Sequence, residues 1–108
     1  VGVLQGLPDL NQTDPFVHQQ LLTLVNSTLT KFDFDGLRLD TVKHVNKNFW
    51  RDYSQAAGVF SMGEVMHGDT KVIAEYITGP QPPLPSVLNF PLYYQFVEVF
   101  GKQQDMRL

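Results

Sequence analysis

The sequence predicts an α/β protein in which crossover helices join the strands of a parallel sheet. Apolar residues recur at helical spacing in two segments, and a short run of alternating polarity follows each of them. The full order of helix, strand, helix, strand, loop, strand, helix is the alternation such a sheet requires. The 108 residues are 43% hydrophobic and 18% charged, with eight Phe, four Tyr and one Trp, which is the profile of a folded chain rather than a disordered one.

Each element has its own signal. Residues 1–12 are broken by Gly2, Gly6, Pro8 and Asp9 and read as a loop. Asp14 can cap a helix with Pro15 at its first position, and Leu21, Leu22, Val25, Leu29 and Phe32 carry it through Lys31. Asp33-Phe-Asp-Gly36 then turns the chain into a short strand. There Leu37 and Leu39 alternate with Arg38 and Asp40, so Arg38 and Asp40 share a face. A second helix starts with Asn46 or Asn48 as cap, buries Phe49, Trp50, Tyr53, Ala56 and Ala57, and stops at Gly58. The next strand, between Val59 and Val65, points Phe60, Met62 and Glu64 one way and the small Ser61 and Gly63 the other. Beyond it come a short helical pattern around Val72 to Tyr76 and a proline-rich loop from Gly79 to Pro85. A third strand near Val87 to Phe90 and a helix from Pro91 to Phe100 follow. The helical spacing of Trp50 and of Tyr93 and Tyr94 with Phe49, Tyr53 and Phe96 favours packing over stacking on a ligand.

Composition narrows the function. Eight basic against eleven acidic residues give a formal charge of −3, and no stretch gathers Lys and Arg, so nucleic acid is not an expected partner. The apolar runs fall short of the roughly 20 residues a membrane helix needs. There is no cysteine, which removes disulfides and thiolate metal sites and leaves the redox compartment unread. The chain starts at Val1 and ends at Arg107-Leu108, directly after a helical segment. The expectation is an internal fragment, with any targeting signal outside it.

The chemistry lies at strand ends. Asp40 and Glu64 close successive parallel strands, where the active sites of such folds gather. One βαβ unit separates them, so the side chains can approach to about 5 to 6 Å, near the spacing of a retaining glycosidase pair. Arg38 favours the charged form of Asp40, as a nucleophile needs. Glu64, flanked by Met62, Val65 and Met66, has surroundings that hold a proton. On spacing alone, the alternative is that both acids cap following helices or pair with nearby bases, as carboxylates at strand ends often do.

A resemblance adds to this reading. Leu7-Pro-Asp-Leu-Asn11, Gly36-Leu-Arg-Leu-Asp-Thr-Val-Lys-His-Val45, Phe49-Trp50, Ala56-Ala-Gly-Val59, Gly63-Glu-Val65 and Val87-Leu-Asn-Phe-Pro-Leu-Tyr-Tyr94 follow the order and spacing of fungal-type α-amylases over nearly the whole chain. The sequence thus resembles an internal piece of that catalytic domain. The resemblance implies a partial (β/α)8 TIM barrel of about three βα units, since a complete one takes about 200 residues or more. Residues 1–12 would end the protruding loop domain and carry part of the calcium site; residues 13–108 would belong to the barrel.

It further implies endo-acting hydrolysis of α-1,4 bonds in starch and malto-oligosaccharides with net retention, by a secreted, extracellular protein that is monomeric at full length. Asp40 would be the nucleophile, Glu64 the acid/base and Arg38 the arginine supporting the nucleophile. Lys43, His44 and Val65 would line the aglycone side. Ca2+ would bind the Asp9 carboxylate and the His44 carbonyl, with its other protein ligands upstream of Val1. A third catalytic Asp would follow Leu108, so the isolated piece is expected to be inactive. Asn11 stands where Asp is often found and leaves an α-glucosidase or glucosyl transferase open. A cysteine that fungal relatives often carry is missing between His67 and Ser86.

Two other classes compete. Asp33 and Asp35 ahead of Gly36 are similar to the nucleophile loop of haloacid-dehalogenase-type phosphatases, in which Asp33 would attack phosphorus and Asp35 act as acid/base beside a magnesium ion. The preceding helix and Leu37 in place of Thr count against it. Amylase-like ectodomains of amino-acid transporters lack the acids, whereas Asp40, Glu64 and Arg38 are all present here. Asn11-Gln-Thr13 and Asn26-Ser-Thr28 both match the N-glycosylation pattern. His18 and His67 have no partner at metal-ligand spacing and read as packing or solvated residues.

Overall fold

The computed structural model describes residues 3, 4 and 6–102; the sequence readings that fall on residues 1, 2 and 5 and on Arg107-Leu108 lie outside them. The opening segment is less irregular than expected. Val3–Leu4 (β1) and Leu7–Pro8 (β2) pair as a minimal antiparallel ladder around Gly6, whose φ of 83° only glycine adopts freely. Two-residue strands are too short to show any period in a sequence.

Helix α1 spans Pro15–Phe32, with the Asp14 carboxylate accepting from the N–H groups of Phe16 and Val17. It buries Val25 and Leu29, while Leu21 and Leu22 are half-buried. Phe32 departs from the expected stripe and is exposed, stacked loosely on Phe34. Asp33 ends the helix in a left-handed conformation, φ 53°.

Strand β3 (Gly36–Leu39) leads through a 3-10 turn, Val42–His44, into helix α2, Lys47–Ala57. Asn46 is the cap, and Gly58 closes α2 at φ 67°. Phe49, Trp50 and Ala57 are buried along one side. Strand β4 (Phe60–Gly63) is shorter than expected at both ends. Helix α3 covers Thr70–Ala74, β5 is Ser86–Val87, and α4 is Phe90–Phe96, widening into a π turn at Val97–Gly101.

The three long-range strands form one parallel sheet in the order β3-β4-β5. Its two faces differ as the alternation predicts. Leu39, Ser61 and Gly63 are buried beneath the helices, whereas Arg38, Asp40 and Phe60 are exposed on the opposite side. One core cluster joins Val25 and Leu29 of α1 to Ala57 of α2. The other gathers Leu39, Val42, Phe49, Trp50, Val65, Ile73, Tyr76 and Leu84. The proline-rich loop is anchored there by Leu84, which is fully enclosed and whose N–H donates to Tyr76 O. Gly63 is closely packed, because a Cβ at that position would meet Leu84 Cδ1 at 2.5 Å and the enclosed Leu84 would have to shift.

Candidate active site

Register explains why Asp40 and Glu64 meet. Leu39 lies opposite Gly63 in the ladder, so the next residue on each strand is one of the two acids. Both follow a buried neighbour, and alternation therefore turns them onto the open face. The hydrogen bonding runs on past the strands: Glu64 N–H donates to Leu39 O at 2.7 Å, and Val42 N–H donates to Glu64 O at 3.0 Å. The backbone of Glu64 is thereby held from both directions.

Arg38, two residues before Asp40 on the same face, spans the pair. Its Nη2 lies 2.8 Å from Glu64 Oε2 and its Nη1 3.7 Å from Asp40 Oδ1. The sequence pattern assigns the guanidinium to Asp40; its closer contact is with Glu64. Exposure separates the acids as well, since 13% of the Glu64 side chain is accessible against 67% of Asp40.

The two carboxyls influence one another, and they titrate apart. The hydrogen bond from Glu64 holds Asp40 below the usual carboxylate range; desolvation opposes this, and the charge of Arg38 and the Thr41 N–H reinforce it. Glu64 is raised, first by its hydrogen bond to Asp40, then by burial and by the negative charge of Asp40, against the pull of Arg38. The nearest charge to Glu64 favours its ionised form, yet the neighbouring carboxylate wins. The apolar flank invoked from the sequence acts second, through burial. The pair therefore titrates as one unit in which Asp40 ionises first and Glu64 holds its proton longer.

Thr41 carries a feature with no signal in the sequence. It adopts φ 51°, a left-handed conformation that a β-branched residue rarely takes. The bend swings the chain away at the end of β3 into the 3-10 turn and leaves the Thr41 N–H beside Asp40. Backbone strain of this kind concentrates at functional sites.

The other predicted site residues are distributed unevenly. Lys43 reaches across the rim, its Nζ donating to Met66 O at 3.0 Å. His44 is exposed. Val65 is different: it is wholly enclosed in the core, so its side chain does not line the rim as the resemblance implied. Asp9 is exposed and accepts from Gln12 Nε2 at 3.3 Å. It lines a hollow of about 490 Å³ together with Leu10, Arg38, Asp40, Val45 and Trp50.

Calcium sets a demand that this donor set meets only in part. The Asp9 carboxylate and the His44 carbonyl are hard oxygen donors, right in kind, but calcium takes about six to eight. Among the described residues, no group of three or more His, Cys, Asp and Glu is close enough to hold a metal ion. These residues supply part of a shell and not a site. His18 packs edge-on against Phe49 and pairs with Asp52 at 3.2 Å, and His67 accepts from the Asp69 N–H, so both histidines have structural partners. Trp50 is buried, with its indole N–H donating to Val42 O. Tyr93, read as a packing residue, is exposed because nothing among the described residues covers that side of α4.

Asp33 and Asp35 lie at the opposite rim. Asp33 caps the end of α1 and Asp35 sits in the turn leading into β3, whereas a phosphatase nucleophile has to follow its strand. The phosphatase reading is thereby withdrawn.

The family model for the alpha-amylase catalytic domain matches residues 2–108. The chain belongs to the alpha-amylase family. It is 43% identical over 98% of its length to a beta/alpha-amylase of Paenibacillus polymyxa, of which it covers 8%. It is 38% identical over 89% of its length to alpha-amylase 1 of Lipomyces kononenkoae, of which it covers 15%. The solved alpha-amylase of Geobacillus thermoleovorans, determined with acarbose, matches 88% of the chain at 33% identity and a TM-score of 0.81, with 22% of that protein covered. The amylase-family chain therefore spans less than a quarter of each of these relatives, and its parallel sheet is a part of their α/β barrel.

Proposed function

We propose that this amylase-family chain supplies two catalytic residues of an endo-acting hydrolase that cleaves α-1,4-glucosidic bonds in starch-like glucans with net retention. The observation that carries the reading is the placement of Asp40 and Glu64 at the ends of neighbouring parallel strands with Arg38 reaching both, the first acid lowered and the second raised in pKa. That is the division of labour a retaining mechanism needs.

In the first step an Asp40 carboxylate oxygen attacks the anomeric carbon. The bond to the glycosidic oxygen breaks, and that oxygen takes the proton of Glu64. In the second, Glu64, now a carboxylate, removes a proton from water as the water oxygen displaces Asp40 from the same carbon. Two inversions give retention. A retaining pair stands about 5–5.5 Å apart. Arg38 reaches both acids, and a sugar would enter between them. Arg38 keeps Asp40 charged and orients Glu64. Lys43 and His44 border the aglycone side, and the enclosed Val65 side chain does not.

The Asp9 carboxylate and the His44 carbonyl are two calcium ligands in this reading, where the ion would tie the 1–12 segment to the barrel residues 13–108. The glucan class is supported by the amylase relatives and by the acarbose bound to the Geobacillus thermoleovorans enzyme. Secretion and a monomeric full-length protein belong to the same proposal. Among the described residues, no helix is long and apolar enough to cross a membrane.

The test is the full-length protein on maltoheptaose, followed by proton NMR during the first turnovers. The α-anomer is the expected product, and Asp40→Asn abolishes its formation. A β-anomer would refute the assignment of roles.

A further inference from the structure

The two N-glycosylation patterns occupy opposite structural situations. Asn11 is exposed in the connection between β2 and α1. Its Oδ1 accepts the Thr13 hydroxyl at 2.6 Å and the Thr13 N–H at 3.2 Å. The residue that defines the pattern thus touches the acceptor amide directly. Two donors on the carboxamide oxygen draw electron density from the nitrogen and make its N–H easier to deprotonate. Among the described residues, Asn11 Nδ2 has no partner.

Asn26 lies within α1. Its Nδ2 donates across to Ala56 O at 3.1 Å, a bond that joins α1 to α2. Thr28 is two positions along a helix, where residues i and i+2 do not face each other, so its hydroxyl cannot serve the Asn26 amide. A glycan on Asn26 would also stand in the seam between the helices.

We propose that Asn11 is an N-glycan attachment site of this protein and that Asn26 is not. The donor is an oligosaccharide carried on a lipid pyrophosphate. A bond forms between Asn11 Nδ2 and the first sugar carbon as that carbon's bond to the pyrophosphate oxygen breaks. The pyrophosphate leaves with the electron pair, and the amide proton passes to a base of the transferase. The attached glycan stands beside the hollow that Asp9, Leu10 and Gln12 line with Asp40. The proposal is independent of the catalytic roles of Asp40 and Glu64 and requires only passage through a eukaryotic secretory pathway.

The experiment is secretion of the full-length protein from a yeast host, release of glycans by peptide N-glycosidase in heavy-oxygen water, and peptide mass mapping. Heavy-oxygen deamidation is expected at Asn11, with Asn26 unlabelled in the same molecules. Thr13→Ala removes the label and one glycan mass step, whereas Thr13→Ser keeps both. Starch cleavage, measured on the same samples, reports separately on the catalytic reading. A label at Asn26, or none at Asn11 in the secreted protein, overturns the inference.

Discussion

At the scale of single residues, the acids act as one titrating unit. Activity rises with pH as Asp40 ionises and falls as Glu64 loses its proton. Since the first is lowered and the second raised, the active window is wider than two isolated carboxyls would allow. Arg38→Met removes a charge that holds both groups down, so both limbs of the kcat/KM profile are expected to move to higher pH. Asp40→Asn takes away the main causes of the raised value of Glu64, whose carbon NMR titration is then expected to drop toward the ordinary range; an unchanged midpoint contradicts the pairing. Glu64→Gln is expected to lower kcat by about 100- to 10,000-fold. Asp40, Glu64 and Arg38 could be picked out from the chain alone, because strand alternation and motif spacing are local properties. The bond from Arg38 to Glu64 and the left-handed Thr41 could not. Both depend on the neighbouring strand and on the turn, which spacing does not encode.

At the scale of elements, the site is supported from below. The Trp50 indole donates to Val42 O at 2.8 Å, tying α2 to the turn that carries Lys43 and His44. Trp50→Phe leaves a buried carbonyl without its donor and is expected to cost about 1–3 kcal/mol, read as a shift in the urea midpoint of the full-length protein. Gly63→Ala forces its new methyl against Leu84 and Val42, the latter at 3.1 Å. Overpacking costs about 1–3 kcal/mol, and a loss of kcat should accompany it because Glu64 is the next residue. The helices were well marked in the sequence: Asp14, Asn46 and Gly58 each cap where their chemistry says they should. The β1–β2 ladder and the exposed Phe32 were not, one being too short for a period and the other lying beyond the last helical contact.

For the whole molecule, β3 and β5 each have a single sheet partner among the described residues, and Leu92, Tyr93, Phe96 and Phe100 are exposed on the last helical stretch. Unpaired edges and apolar patches of this kind drive association. Expressed alone, the 108 residues are expected to self-associate and take up an apolar dye; a sharp monomer peak in light scattering with no dye uptake contradicts this. The parallel order was legible because helix and strand alternate strictly, whereas its open edges depend on residues that the period does not reach. The bonds from Glu64 N–H to Leu39 O and from Val42 N–H to Glu64 O make both acids riders on a single backbone seam. Two backbone bonds between the strand ends oppose any widening of the gap between the acids on warming. A temperature series on the full-length enzyme should therefore climb smoothly and break off at the melting midpoint, with no slow fade beforehand.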